Sequence, residues 1–484
     1  MSVLPAPVGA TVASEIPSSW LTKARNFFTH ERLSNGKFLL LFWLSARLVV
    51  FTIWALIGAT QGDVFYYYDR VALLGNLDPA QLMQEYPTPA VMFLYIPYLL
   101  GFDSEISYAI AFVVINLMLD AAFAYSLWLK GGHLRGQAVL FWTLFMMFIG
   151  PTVYLRFDLA TAVPCGWALM FLLRRHTFIA GSLVGLGAAF KLWPALLWPA
   201  LLGGSRRHNI IATTGVATTG IILAGASLAW GGWDRLLSPL SYQDNRGLQV
   251  ESIWASVPML ERALGVGDYA VAISRWQAFE VWGSDVPIWT AIASIAGAFG
   301  YLLPLITGLA WCLRGRGRMF EAAGLMLLTI TGLIVTNKTF SPQYVIWLAP
   351  TMAATFTVLG VRAPWQQSYS RDRNRLKRLS VLMLSFTLLT TVVYPISYAV
   401  LVRDQVDWRM YLQLPVTLVL VARNVLVVWF FVELLRWVWS FLNPDHFRTT
   451  RLTAPTPDGA VTPAAYGTIT STFANPHPFQ HQRH

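Results

Sequence analysis

Six short polar clusters in this chain sit beside long apolar runs. The first, Gly62-Asp63-Val64-Phe65-Tyr66-Tyr67-Tyr68-Asp69-Arg70, directly follows an apolar run and leads to Glu85-Tyr86-Pro87-Thr88-Pro89. A carboxylate so placed can take a proton from a hydroxyl; the plain alternative is a solvated loop acid. Arg156-Phe157-Asp158 opens another run, as a local salt bridge or as a substrate contact. Phe190-Lys191-Leu192-Trp193-Pro194 interrupts a third. A cation there attracts a phosphate, unless Lys191 merely snorkels from a helix end. Tyr242–Ser252 carries Arg246, Gln249 and Glu251, types that suit sugar hydroxyls and equally a solvated loop. Asn337-Lys338-Thr339-Phe340-Ser341-Pro342-Gln343-Tyr344 leads to Trp347. Lys338 is a second phosphate cation, or the stretch is a tight polar loop in an aromatic belt. Arg423-Asn424 lies inside the last apolar run, where an Arg needs a lipid phosphate or a buried acid.

The elements that must position these groups are membrane spans. Of 484 residues, 56% are hydrophobic and 12% charged, against about 25% charged in soluble domains. The 21 Trp and 18 Tyr favour the membrane–water interface. The net charge of +11 is carried in short loops between apolar runs, which is a topological signal rather than a nucleic-acid surface. Cys165 and Cys312 both lie in apolar runs, so neither a disulfide framework nor a zinc site is indicated. The Pro/Ala/Ser-containing N-terminus, followed by Lys23, Arg25, Arg32 and Lys37, does not read as a cleavable signal.

Spans are expected near 38–58, 108–129, 136–154, 158–173, 209–231, 288–312, 319–337, 343–361, 379–401 and 412–435. The short run 88–102 dips in and returns or lies at the interface. The run 177–204 crosses twice in about 28 residues, short of ~20 per span. It therefore reads as two short helices meeting near Lys191 at a cavity wall. The basic loops with Arg174/Arg175, Arg206/Arg207, Arg314/Arg316/Arg318 and Arg371–Arg378 face the cytoplasm, and the acidic loops 59–87 and 232–286 face out. The expected division is 1–37, a cytoplasmic segment; 38–441, the transmembrane domain; and 442–484, a cytoplasmic tail disordered by composition. The tail's His477, His481 and His484 read as solvated rather than metal-binding. No inverted repeat of the transporter kind is evident.

On that topology Asp63, Glu85, Arg156, Asp158, Lys191, Arg246, Glu251 and Lys338 share the outer face. A carboxylate, several cations and carbohydrate-type polar groups together suit a lipid-phosphate donor and a hydroxyl acceptor: the base deprotonates the acceptor while cations hold the leaving phosphate. A transporter or flippase of a lipid-linked substrate, and a scaffold for envelope assembly, are the readings from other classes. No metal cluster is visible, so neither metal nor cofactor is expected.

The succession of motifs resembles the GT-C superfamily of integral membrane glycosyltransferases, most closely family 87. The shared parts are the Asp followed by tyrosines, Glu85-Tyr86-Pro87, the Lys191-Leu192-Trp193-Pro194 break, Arg246-Gly247-Leu248-Gln249-Val250-Glu251-Ser252 and the Asn337–Tyr344 loop with Trp347. That last loop is also similar to the mannosyltransferase adding the first mannose in GPI-anchor synthesis. The likeness covers about residues 38–435. It implies a bundle of about 12 transmembrane helices with two long extracytoplasmic loops. It further implies an inverting transferase that moves mannose from a polyprenyl-phosphate donor to a glycolipid or lipoglycan in cell-envelope synthesis. Asp63 matches the family's catalytic base; Lys191 and Lys338 match positions near the donor phosphate, where Arg423 is also placed. Tyr66, Glu85, Arg156, Asp158, Arg246, Gln249, Glu251, Gln343 and Tyr344 are the expected sugar or acceptor contacts. The chain departs from the pattern at Thr88 and at Arg156-Phe157-Asp158, which leaves open a polyprenyl-phosphate arabinofuranose donor.

Overall fold

The computed structural model describes residues 27–443 apart from 59–61, 79–80, 102–103, 245, 277, 315–318, 367 and 404–409. The expected tail and its histidines therefore lie outside the described residues, as do Arg316 and Arg318. In chain order the helices are α1 (His30–Ser34), α2 (Gly36–Ile57), α3 (Gly62–Val71), α4 (Thr88–Leu100), α5 (Glu105–Lys130), α6 (Arg135–Ile149), α7 (Asp158–Leu173) and α8 (Thr177–Phe190). There follow α9 (Arg206–Asp244), α10 (Ser256–Ala263), a hairpin of β1 (Ala270–Ile273) and β2 (Phe279–Trp282), α11 (Val286–Arg314), α12 (Met319–Thr336), α13 (Ala349–Gly360), α14 (Tyr369–Thr391), α15 (Tyr398–Val402) and α16 (Met410–Leu442).

The fold is all-α and polytopic. Among the described residues eight helices are long and apolar enough to cross a membrane, and α4, α7 and α8 are shorter apolar helices. The expected dozen spans thus resolve into fewer full-length ones, because proline interrupts several. The run 177–204 becomes α8 followed by a 3₁₀ segment, Trp193–Leu201, with Pro194 at its start and Pro199 inside. The run 343–361 becomes a 3₁₀ segment, Pro342–Leu348, leading into the 12-residue α13. A proline has no N–H to donate and crowds the preceding turn, so each such segment ends regular helix. Residues 88–100 form one helix that does not turn back. The span in α9 ends at Gly231 and Gly232, whose dihedrals are non-helical. The hairpin was not expected; its four-residue strands are too short for a clear alternation.

Small residues bring the central helices together. A Cβ on Gly181 of α8 would lie 2.2 Å from the Ala212 carbonyl oxygen of α9, and one on Gly215 would lie 2.3 Å from that of Phe178. In lipid, where apolar surface gains little by leaving the tails, such close backbone packing is a main source of helix association.

The bundle also holds an ion pair that sequence reasoning did not single out. Asp120 of α5 and Arg47 of α2 are both buried and meet through two bonds, Nη2 to Oδ1 at 2.6 Å and Nε to Oδ2 at 2.8 Å. Trp142 donates to Oδ1 at 2.7 Å and Tyr154 to Oδ2 at 2.6 Å. Asp120 therefore ties α2, α5, α6 and the segment leading to α7.

Chain order then fixes the ends. The basic ends of α6, α7, α8, α13 and α14 gather on one side. There His133 meets the Tyr369 hydroxyl at 2.6 Å and Arg362 pairs with Asp372 at 2.7 Å. The other ends carry Asp63, Asp158, Lys191 and Asn337. Removing the Asp120 carboxylate should unfold the bundle readily. Asp120→Ala and Asp120→Asn both strand the Arg47 guanidinium, at a cost of about 3–5 kcal/mol, and both should lower the thermal midpoint in detergent sharply. A native midpoint in either variant would refute this assignment.

Candidate functional site

Asp63 stands in the first turn of α3, where the helix dipole favours an anion. The chain arrives at Arg156 through a 3₁₀ turn, Gly150–Val153, entered at Gly150 with a φ of 65°. Arg156 and Asp158 do not close on each other. Arg156 pairs with Asp63 and donates to the Tyr394 hydroxyl at 3.1 Å. Asp158 opens α7 and pairs with Lys191, Nζ to Oδ1 at 2.6 Å. Two residues apart at a helix entry, the Arg156 and Asp158 side chains leave in different directions.

Lys191 caps α8 in an extended conformation, its amide still bonded to the Gly187 carbonyl. Its ammonium lies 5.6 Å from the Trp347 ring and 5.8 Å from the Tyr86 ring. Trp347 donates to Asp158 at 2.5 Å and is stacked between Tyr344 at 4.1 Å and Trp193 at 5.0 Å. Both broken helices thus meet at Asp158.

The Tyr66 hydroxyl donates to Glu85 at 2.6 Å, and the Tyr67 and Tyr86 hydroxyls are 3.3 Å apart. The turn bearing Glu85 and Tyr86 is clamped by Arg235, which sequence reasoning missed. Arg235 is fully buried; it donates to the carbonyls of Leu82 and of Met83, to that of Tyr86 at 2.7 Å and to the Thr88 hydroxyl at 3.1 Å. Its only sequence signal is a charge just past the Gly231-Gly232 break.

The loop 246–252 lies along the hairpin. Val281 donates to the Leu248 carbonyl at 2.9 Å and Val250 to that of Phe279 at 3.2 Å. The Gln249 amide donates to the Lys338 carbonyl at 3.1 Å, which brings the Asn337–Tyr344 loop alongside. Within that loop the Ser341 hydroxyl donates to Gln343. The mid-span Arg423 finds its partner here. Its guanidinium donates to the Glu251 carbonyl at 2.9 Å, pairs with the Glu251 carboxylate at 3.4 Å and covers the Phe340 ring at 4.0 Å. Asn424 donates to Ser252 and Ser256. Arg246 is half-buried.

Three acid–base pairs result, and their exposure separates them. The Asp63 side chain is 38% exposed, while those of Asp158 and Glu251 are 1% and 0% exposed. Of the three carboxylates, Asp63 is the one reachable from solvent. Burial pushes the Glu251 carboxyl up to about 7, against the pull of Arg423 and Arg156. Arg156 thus acts on both Asp63 and Glu251, which joins the first and fourth clusters. A cavity of about 690 Å³ lies elsewhere, lined by Arg206, Asn209 and Cys312, and holds none of these groups.

A family model for glycosyltransferase family 87 matches residues 85–337. The match takes in Glu85, Arg156, Asp158, Lys191 and the 246–252 loop and leaves out Asp63, Lys338, Gln343, Tyr344 and Arg423. No curated protein and no solved structure matches the chain.

The Glu251 environment gives a signed pH dependence. Its folded value lies above the ordinary 4.5, so the folded chain keeps a proton that the unfolded chain has lost. Stability then falls as pH rises between about 4.5 and about 7. Thermal midpoints taken from pH 4.5 to 8 should fall more steeply in the native protein than in Glu251→Gln. Parallel curves would contradict a raised Glu251.

Proposed function

The chain belongs to glycosyltransferase family 87 and is a multi-pass membrane glycosyltransferase; on that premise we propose that it transfers mannose from a polyprenyl-phosphate donor to a glycolipid or lipoglycan hydroxyl. The observation that carries this reading is the partly exposed Asp63 carboxylate, paired with Arg156 at the start of a helix. Asp63 takes the acceptor proton as the acceptor oxygen forms its bond to the anomeric carbon from the face opposite the phosphate. The bond from that carbon to the phosphate oxygen breaks, and polyprenyl phosphate leaves with the electron pair. Configuration inverts in this single displacement.

Cations on the leaving oxygen stabilise the charge as it develops. Lys191 has three donors, of which Asp158 takes one. Arg423 Nε and Nη1, Arg246 Nε and Trp193 Nε1 are buried with no acceptor among the described residues. These donors suit a phosphate and sugar oxygens. Lys338 would join them from its loop. Tyr66, Glu85, Gln249, Gln343 and Tyr344 would line the sugar and acceptor. The positive-inside rule, applied to the basic loops, favours an extracytoplasmic site and cytoplasmic termini.

Arabinofuranose is the second reading, because Arg156, a departure from the family pattern, pairs with Asp63 itself. Purified protein given polyprenyl-phosphate mannose and polyprenyl-phosphate arabinofuranose separately decides between them. Asp63→Asn should lower transfer by about 10²–10⁴-fold, the usual worth of a general base, in protein that still binds donor. Near-normal turnover in folded protein would remove Asp63 from this role. Lys191→Ala should raise the donor KM and lower kcat; unchanged donor kinetics would count against a phosphate contact.

A further inference from the structure

Glu280, on β2, stands outside the three pairs. Its residue surface is 4% exposed. The Gly247 amide donates to its Oε1 at 3.1 Å, and among the described residues no cation pairs with it. A Cβ on Gly247 would fall 2.4 Å from Oε2, so the carboxylate as placed packs directly against the bare glycine. Glu280 lines a cavity of about 480 Å³ with Gly247, Trp282, Gly283, Thr290 and Ser294. Trp282 is 53% exposed there. The Thr290 and Ser294 hydroxyls donate to carbonyls of their own helix, so each oxygen keeps acceptor capacity.

We propose that this cavity binds a non-reacting saccharide unit of the acceptor. The inference rests on the reading of the acceptor as a glycolipid or lipoglycan. The Glu280 carboxylate has acceptor capacity beyond the one bond from the Gly247 amide, and sugar hydroxyls supply donors in pairs. The Trp282 indole offers an apolar face to the C–H side of the ring. An acyl chain would seal the carboxylate away from water with the Gly247 amide as its one donor, which is unfavourable for a charge. A free phosphate would meet like charge.

The same strand reaches the reaction centre. Glu280 bridges Gln249 through the backbone; Gln249 is bonded to Lys338, and Glu251 to Arg423. From Gly247 to Glu251 the chain spans at most about 14 Å, within the length of a short oligosaccharide. A sugar held at Glu280 would thus set how far its neighbour reaches towards Asp63.

Two measurements on the full chain test this. Saturation-transfer NMR with α-linked mannobiose should show binding to the native protein that Trp282→Ala and Glu280→Gln weaken about tenfold or more, a loss of ~1.4 kcal/mol. In transfer assays the ratio of kcat/KM for a two-sugar acceptor to that for a one-sugar acceptor should fall about tenfold in Trp282→Ala. Trp282 is exposed, so that variant remains informative should Glu280→Gln fail to fold. Equal mannobiose binding by native protein and folded Trp282→Ala overturns the proposal, as does an unchanged acceptor ratio. Trp282-dependent binding without any transfer to glycolipids would sink the proposed acceptor and leave the saccharide site standing.

Discussion

A charge placed among helices in a low-dielectric bundle costs several kcal/mol unless an opposite charge and hydrogen bonds meet it. That requirement organises this molecule. Asp120 meets Arg47, Asp158 meets Lys191 and Glu251 meets Arg423, and in each pair the carboxylate is essentially dry. Each pair joins elements distant in sequence, so each also fixes where helices and loops sit. Asp63 and Arg156 make the exception: they pair at the rim, with the carboxylate partly in solvent. The interior pairs neutralise what must be buried, and the rim pair leaves the Asp63 carboxylate reachable from solvent.

Irregular backbone is the second consequence. A continuous helix hides its amides and carbonyls, and a site needs side chains to converge from several directions. Here α8 stops at Lys191 and the Pro342–Leu348 turn precedes α13, and both deliver their aromatic and charged groups onto Asp158. Unwound chain at that depth is tolerated only where protein or water satisfies it. The stacked Trp193, Trp347 and Tyr344 rings provide that shelter. Arg235 does the equivalent for the Glu85 turn by collecting carbonyls that no helix uses.

Most of the long spans and the broken pair at 177–204 were legible because apolar length and proline act locally, whereas 343–361 reads as a span and is broken. The polar clusters were legible because charge beside an apolar run is expensive and therefore noticeable. Partner choice was not. Arg156 and Asp158 look like a pair on paper and belong to two different pairs in space. Arg235 and Tyr394 gave no usable signal, since a side chain that binds carbonyls or a distant arginine follows no spacing rule. Asp120 and Arg47 were passed over because each is alone within its own apolar run. The hairpin escaped notice because two strands of four residues carry too little alternation to distinguish them from loop.

The 246–252 loop is where these threads join. Its first residues lie over Glu280, its middle pairs with β2 and with the Lys338 backbone, and its last carboxylate is held by Arg423. A rigid strand of this kind can couple acceptor length to reaction geometry without any moving part. Its Arg423 anchor comes from α16, beyond the region matched by the family model. Under the proposed reading, changes in the last span would therefore retune the acceptor side while leaving the Asp63–Arg156 pair and the Lys191–Asp158 pair as they are.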